Sequence, residues 1–351
     1  MLPYLTAHLG RAVPPPGLRA FGAAATALLL CLALGPAAIA WLRRMSIAEP
    51  TEKSPIEDRR LRRRMAAKDG TPTMGGLFLV PSVLASALLW CDLTAAAVVA
   101  SLLCIGALAS LGAADDWRKL TGRGRTDRGL KARHKLALQG LIGAAFAVLV
   151  LQPWGGPAEG GVVPPTLPLR VGGPLAALLF AAGAVLLIAT MSNSTNLTDG
   201  LDGLLAGLAL PAAIVVGLAC WISNRPHAQE LSVLCGALAG GCLGFLRYNR
   251  HPARVFMGDC GSLAVGGALA CAAVAGGQVL PALVAGAVFL TEFGSSLLQI
   301  GFYKLFGRRI LPIAPIHHIF EQKGHPEPSI VRGFYVGGAL AGAAGLALVY
   351  L

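Results

Sequence analysis

Five aspartates stand out in a chain of 351 residues with only 17 acidic side chains: Asp115, Asp116, Asp199, Asp202 and Asp259. Asp115 and Asp116 are adjacent in GAADDWRKL, with Arg118 and Lys119 just after them. Asp199 and Asp202 are three apart in NLTDGLDGL, behind Asn196. Asp259 sits in NRHPARVFMGDCGSL, which also holds Asn249 and His251. The stretch APIHHIFEQKGHPEP adds His317, His318 and Glu321. Each stretch lies at the edge of an apolar run.

Some of these acids have an ordinary explanation. A carboxylate at a helix N-terminus is favoured by the helix dipole, which suffices for Asp199 or Asp259 singly. Asn196 or Thr198 can cap a helix whose first turn holds Asp199, and the i, i+3 spacing then puts Asp199 and Asp202 on one face. Asp115 and Asp116 differ. They are expected to close a helix at its C-terminal end, where the dipole disfavours anions, so a cation should offset them. Mg²⁺ suits such a set, since it takes oxygen ligands and bridges one or two carboxylates to substrate phosphates. Zinc does not, because the eight cysteines lie mostly in apolar runs without a Cys-x-x-Cys pair, and the histidines lack ligand spacing. Lys68, Lys119, Arg133 and Lys135 could hold phosphate charge that the metal leaves unneutralised. The glycines of DGTPTMGG and MGDCGS offer backbone N–H groups at expected helix starts. Glu292, inside the apolar run FLTEFGSSLLQ, is either a functional group or a buried hydrogen-bond partner.

The elements that must position these groups are membrane spans. The chain is 55% hydrophobic and 13% charged, with a mean hydropathy of +0.66, whereas soluble domains carry about twice that charge fraction. Runs close to the roughly 20 residues needed to cross a bilayer fall at about 20–42, 74–91, 94–114, 136–152 and 173–193. Five more fall at about 201–222, 230–246, 261–276, 280–303 and 331–350. The expected fold is an all-α integral membrane protein of about ten helices, a single polytopic domain over residues 1–351.

Lysine and arginine set its orientation. Segments 43–73, 115–135, 247–260 and 304–332 hold 25 of the 29 cations, and 192–203 holds none. The positive-inside rule makes these five loops cytoplasmic and both termini external, which puts the active site on the cytoplasmic face. The same asymmetry argues against nucleic acid as the partner of the +12 net charge. Arg59, Arg60, Arg62, Arg63 and Arg64 read as an orientation signal that also meets anionic membrane lipid. A secondary transporter would place its polar residues near the midplane and show a repeated half, and neither feature is visible.

The motifs KDGTPTMGG, ADDWRK, NLTDGLDGL, NRHPARVFMGDCGSLAVGG and APIHHIFEQKGHPEP occur in this order between about residues 68 and 335. Together they resemble the prenyl-phosphate N-acetylhexosamine-1-phosphate transferases, on the branch that uses a muramoyl-pentapeptide donor rather than UDP-N-acetylglucosamine. The resemblance implies reaction of UDP-N-acetylmuramoyl-pentapeptide with undecaprenyl phosphate, giving lipid I and UMP with Mg²⁺. It also implies ten helices in a bacterial inner membrane, commonly as a homodimer. Carried over by position, Asp115, Asp116, Asp259 and His317 are the catalytic group. Asp259, with Asp202, would hold the metal. Lys68, Thr73, Lys119, Asn196, Asp199, Asp202, Asn249 and His318 would bind substrate or order the site. Ile319 replaces the third histidine usual in the family, and Cys260 replaces its usual threonine.

Overall fold

The computed structural model describes residues 1–8, 12–45, 68, 70–121, 129–151, 173–223 and 226–350. The arginine cluster at 59–64 and Arg123, Arg125 and Arg128 lie outside the described residues. All ten apolar runs form helix. They are α2 (Pro16–Arg44), α3 (Gly76–Trp90), α4 (Ala96–Thr121), α5 (Ala132–Leu151), α6 (Gly173–Thr198), α7 (Leu204–Ile222), α8 (Pro226–Asn249), α9 (Gly258–Ala275), the pair α10 (Val279–Ala285) and α11 (Ala287–Phe306), and α13 (Glu327–Ala347). A short α1 (Leu2–His8) precedes them, and α12 (His317–Gln322) sits before α13. Among the described residues there is no strand. The chain is a multi-pass membrane protein: among the described residues eight helices are long and apolar enough to cross a bilayer, or nine if the bent pair α10–α11 is one span.

Two expected spans are modified. Helix α3 is apolar but only 15 residues long. The run at about 280–303 is broken, with α10 and α11 meeting at 74° around Gly286, where a residue without a side chain lets the helix bend.

Two helix ends also fall elsewhere than expected. Helix α4 does not stop at Asp115 and Asp116 but continues to Thr121. Arg118 and Lys119 occupy its last turn, where cations suit the dipole. Helix α6 likewise runs through Asn196 to Thr198. The hydroxyls of Ser192, Ser194, Thr195 and Thr198 bond back to the carbonyls of Ile188, Thr190, Met191 and Ser194 at 2.6–2.9 Å. Such back-bonding lets polar residues sit within a helix. Neither Asn196 nor Thr198 therefore caps a following helix, and Asp199 and Asp202 belong to the turn before α7, not to its first turn. That turn closes at Gly203, whose φ of +79° suits glycine.

Helix α9 runs through the centre, with 89% of its length buried. Glycines let its neighbours approach. A Cβ on Gly76 of α3 would strike the backbone of Gly261, one on Gly112 of α4 the carbonyl of Asp259, and one on Gly266 of α9 the carbonyl of Met191 in α6. Helices α2, α5 and α13 form the rim, with 28% of each apolar window buried. At the end away from the aspartates, Arg19 of α2 pairs through both terminal nitrogens with Glu230 of α8 and donates to the carbonyl of Trp90.

The α2–α8 seam is built on a stripe of small residues. Added Cβ atoms on Gly236 and Gly240 would overlap the carbonyls of Ala20 and Ala24, and one on Gly244 would lie 3.1 Å from that of Leu28. Close backbone approach of this kind drives helix association in lipid. Gly240→Val is expected to destabilise the protein by about 1–3 kcal/mol, read as a lower thermal midpoint in detergent. Gly106→Ala, where an added Cβ meets nothing within 4 Å, should leave the midpoint unchanged or higher.

Candidate active site

The site is assembled where two loops pair beside the start of α9. Phe256 N–H donates to the Pro72 carbonyl at 2.8 Å, Gly75 N–H to Phe256 at 2.8 Å, and Gly76 N–H to Met257 at 2.9 Å. This pairing buries Thr73 and aligns TPTMGG with VFMGDCG. Gly258 has φ +72°, and a Cβ there would lie 2.7 Å from an Asp116 oxygen and 3.0 Å from the Met74 nitrogen. Only glycine satisfies both demands.

Asp259, in the first turn of α9, then faces a ring of partners. Its Oδ1 accepts the Asn196 amide at 2.7 Å. Its Oδ2 lies 2.6 Å from Lys135 Nζ and 3.0 Å from Lys119 Nζ. Lys119 also reaches Asp115 at 3.2 Å and Asp116 at 3.7 Å, and Lys135 reaches Asp115 at 3.5 Å. Asp116 accepts the Cys260 N–H at 3.1 Å. It therefore sits at the N-terminus of α9, where a helix dipole welcomes a carboxylate. The turn extension of α4 puts Lys119 four residues from Asp115 and three from Asp116, so the cation these acids required lies on their own helix. Three carboxylates and two ammonium groups converge here, and all three aspartates are buried.

A second cluster lies across the 199–203 turn. Lys68 Nζ is 2.7 Å from both Asp202 and Glu327, and its ammonium stands 5.7 Å from the Phe256 ring centroid. Asp202 also accepts from His251 Nδ1 and the Ala253 N–H, each at 3.0 Å. The Asp202 N–H donates to Glu327 Oε1 at 2.6 Å. Asn249 braces the turn, accepting from the Gly203 N–H at 3.0 Å and donating to the Val255 carbonyl at 2.9 Å. Burial alone would raise the Asp202 carboxyl, but the Lys68 ammonium outweighs it and holds the group below its ordinary value. Burial would likewise lower Lys68, and Glu327 and Asp202 together hold it above its ordinary value.

A third group is His317 and His318 at the start of α12. His317 Nδ1 lies 3.0 Å from Glu292 Oε2 of α11, with both residues buried. His318 Nδ1 lies 2.7 Å from Glu321. Burial pushes the His317 imidazole below its ordinary range, ahead of the opposing pull of Glu292, so it is neutral at neutral pH. Its Nε2 abuts Gly200, where a Cβ would overlap the ring. Within DGLDG, Gly200 is thus the residue that makes room for a histidine more than a hundred positions away.

Residues 98–277 match the model of glycosyl transferase family 4. Over 346 residues the chain is 39% identical to a phospho-N-acetylmuramoyl-pentapeptide-transferase of Granulibacter bethesdensis, spanning 94% of this chain and 92% of that relative. The chain belongs to glycosyl transferase family 4. Within this family 4 member the matched segment carries Asp115, Asp116, Lys119, Lys135, Asn196, Asp202 and Asp259. Lys68, His317 and Glu327 lie outside it and join the site only through the fold.

The structure thus brings Asp115, Asp116, Asp259, Lys119, Lys135 and Asn196 together. It gives Asp202 other partners: Asp202 and Asp259 share none, and Asp202 is joined with Lys68, His251 and Glu327 instead. Asp199 lies half-buried in the turn between the two clusters. Glu327 escapes sequence reasoning because an acid after Pro326 in HPEP reads as an ordinary helix start.

The Lys68 network should be visible in pH-dependent stability. Asp202 titrates below its ordinary 3.8, so its contribution is present above pH 3.8 and is lost as pH falls through the lower folded value. Lys68 titrates above its ordinary 10.5, so its contribution is present below that pH and is lost as pH rises through the higher folded value. Lys68→Met strands two buried carboxylates. With Lys68 partly exposed, it should cost about 1–3 kcal/mol. The difference in thermal midpoint from the parent chain is expected to be largest at about pH 8 to 9 and to shrink as pH falls, because the stranded carboxyls, raised by burial, take up protons in the variant before they do in the parent.

Proposed function

We propose that the chain transfers phospho-N-acetylmuramoyl-pentapeptide from its UDP-linked donor to undecaprenyl phosphate, releasing UMP and giving lipid I. The observation that carries this reading is the Asp115–Asp116–Asp259 group interleaved with Lys119 and Lys135, in a membrane-embedded member of a sugar-transferase family. Both reactants are anions, so the reaction demands charge neutralisation and alignment more than bond chemistry from the protein. The arrangement belongs on the cytoplasmic face of a bacterial inner membrane, where a water-soluble nucleotide donor and a lipid acceptor meet. We read the 43–73, 115–135, 192–203, 247–260 and 304–332 segments of one polytopic domain as lying on that face, with both termini outside and two copies forming a homodimer.

The donor set fits Mg²⁺. Asp115, Asp116 and Asp259 supply hard carboxylate oxygens, already gathered around two cationic groups that occupy the place of a counter-ion. Asp259, with Asp115 and Asp116, would hold the ion. When bound, it would withdraw charge from the pyrophosphate of the donor and from the departing UMP. Asp202, His251 and Glu327 also offer ligand atoms within 4.8 Å of one another. There, as at Asp259, a lysine ammonium bonds the carboxylates; we assign that cluster to nucleotide binding, with Thr73, Asp199 and Asn249, because Lys68 also stands beside the face of the Phe256 ring.

The protein's own residues suit a single displacement. An oxygen of the lipid phosphate attacks the β-phosphorus of the donor, and the bond from that phosphorus to the oxygen of UMP breaks. Asp115 orients the lipid phosphate and accepts its residual proton, with Asp116 held beside it by the Cys260 N–H. Lys119 and Lys135 swing from carboxylate to phosphate oxygens as substrate enters. Asp259 is poorly placed to attack, since one of its oxygens accepts the Asn196 amide and the other faces two ammonium groups. That geometry favours the direct route over a phospho-aspartate intermediate.

Radiolabelled UMP exchange, in detergent with undecaprenyl phosphate, tests the reading. Exchange is expected with UDP-N-acetylmuramoyl-pentapeptide. Exchange with UDP-N-acetylglucosamine alone would move the chain to the other branch, and exchange with neither would end the assignment. Lys135→Ala should lower kcat about 100- to 1000-fold, as expected for loss of a charge-stabilising donor. Asp259→Asn should retain slow, Mg²⁺-dependent turnover. Isolation of a phosphosugar–protein adduct from the parent chain would overturn the single displacement.

A further inference from the structure

Among the described residues, three buried side-chain atoms lack a hydrogen-bond partner: Glu292 Oε1, Ser296 Oγ and His317 Nε2. All three lie in one corner, where α11 meets the start of α12. Buried polar groups are otherwise almost always satisfied, so three orphans together call for an explanation. Glu292 is fully buried inside a broken helix, and the displacement chemistry above makes no use of it.

We infer that Glu292 is the positioning residue of His317: it accepts the hydrogen bond of Nδ1–H and leaves Nε2 as a bare acceptor for a hydroxyl or N–H of the bound donor. Glu292 Oε2 faces two nitrogens of His317, the backbone N–H at 3.5 Å and ring Nδ1 at 3.0 Å. The backbone group can only donate, so Oε2 accepts there, and we assign the ring contact the same direction, with Nδ1–H as donor. The tautomer of a neutral imidazole is set by the hydrogen bond at its other nitrogen. With Nδ1 protonated, Nε2 carries a lone pair and no proton.

Nε2 is aimed at Gly200, in the turn that separates the Asp259 and Asp202 clusters. A lone pair cannot pair with a phosphate oxyanion, which is itself only an acceptor. His317 is therefore matched to a hydroxyl or N–H of the donor, not to its pyrophosphate. His318 differs, because it is partly exposed and bonded to Glu321 of its own helix. The packing of α11 against α12 thereby becomes a selectivity device: a carboxylate in the membrane-embedded helix dictates which hydrogen-bonding partner the histidine accepts. The choice of partner rests on the proposed function, whereas the tautomer does not.

The test uses the full chain in lipid nanodiscs with ¹⁵N-labelled histidine, the His317 signals being assigned by their loss in His317→Ala. The parent chain should show an unprotonated, pyridine-type Nε2 and a protonated Nδ1. Glu292→Gln, which keeps shape but can donate through its amide, should shift His317 toward the opposite tautomer and lower kcat/KM about 10- to 100-fold. Glu292→Asp should restore the tautomer and part of the activity. Added to His317→Ala, the Glu292→Gln change should cost nothing more. A His317 tautomer unaltered by Glu292→Gln, or losses that multiply in the double variant, would overturn the inference. The tautomer measurement needs only folded protein, so it decides the matter even if no phosphosugar transfer is found.

Discussion

Burying carboxylates beside hydrocarbon is costly unless each has a cation or a hydrogen-bond donor within contact distance, and the end of this protein that gathers the aspartates is organised around meeting that requirement. Asp115, Asp116 and Asp259 share Lys119 and Lys135, and Asp202 and Glu327 share Lys68. Remove the lysines and the acids repel one another. Remove the acids and Lys68, Lys119 and Lys135 are left without the carboxylates that hold them. On the proposed reading the same mutual need would make the site responsive to substrate, with phosphate oxygens taking over the ammonium groups and a divalent ion the carboxylates.

Meeting that requirement depends on close backbone approach. Helix α9 can carry Asp259 into contact with groups from α4, α5 and α6 only because Gly76, Gly112 and Gly266 remove side chains at the crossing points. Gly258 and Gly200 play the same part locally, one making room for Asp116 and the other for His317. The glycine content is therefore a positional feature of the site as much as a feature of membrane packing. Substitutions at these few positions would displace charged groups without touching them.

The two charge clusters are equally enclosed: Asp202 and Glu327 are as buried as Asp259, and only His251, 43% exposed, reaches the surface. His317 stands between these groups and the membrane-embedded Glu292. On the proposed reading, a donor of nucleotide, pyrophosphate and sugar would meet three different chemistries in these clusters: cation and ring, paired charge, and neutral acceptor.

Much of this was legible from residue order. Ten apolar runs announced ten helical segments, and the one-sided distribution of acids and cations gathered Asp115, Asp116, Asp199, Asp202 and Asp259 at one end, because hydrophobic length and charge placement are properties of the chain itself. What residue order could not decide was partnership. Asp199 and Asp202 read as neighbours on one helix face, yet back-bonded hydroxyls carry α6 through to Thr198 and leave both in a turn. Asp115 and Asp116 read as unfavourable helix ends, yet α4 continues past them and Asp116 is placed at the N-terminus of α9. Asp202 read as a companion of Asp259, yet it pairs with Glu327, 125 residues away. Such pairings depend on which helices cross and at what distance, and that is settled by side-chain volume at the crossings, a quantity that only the tertiary structure expresses.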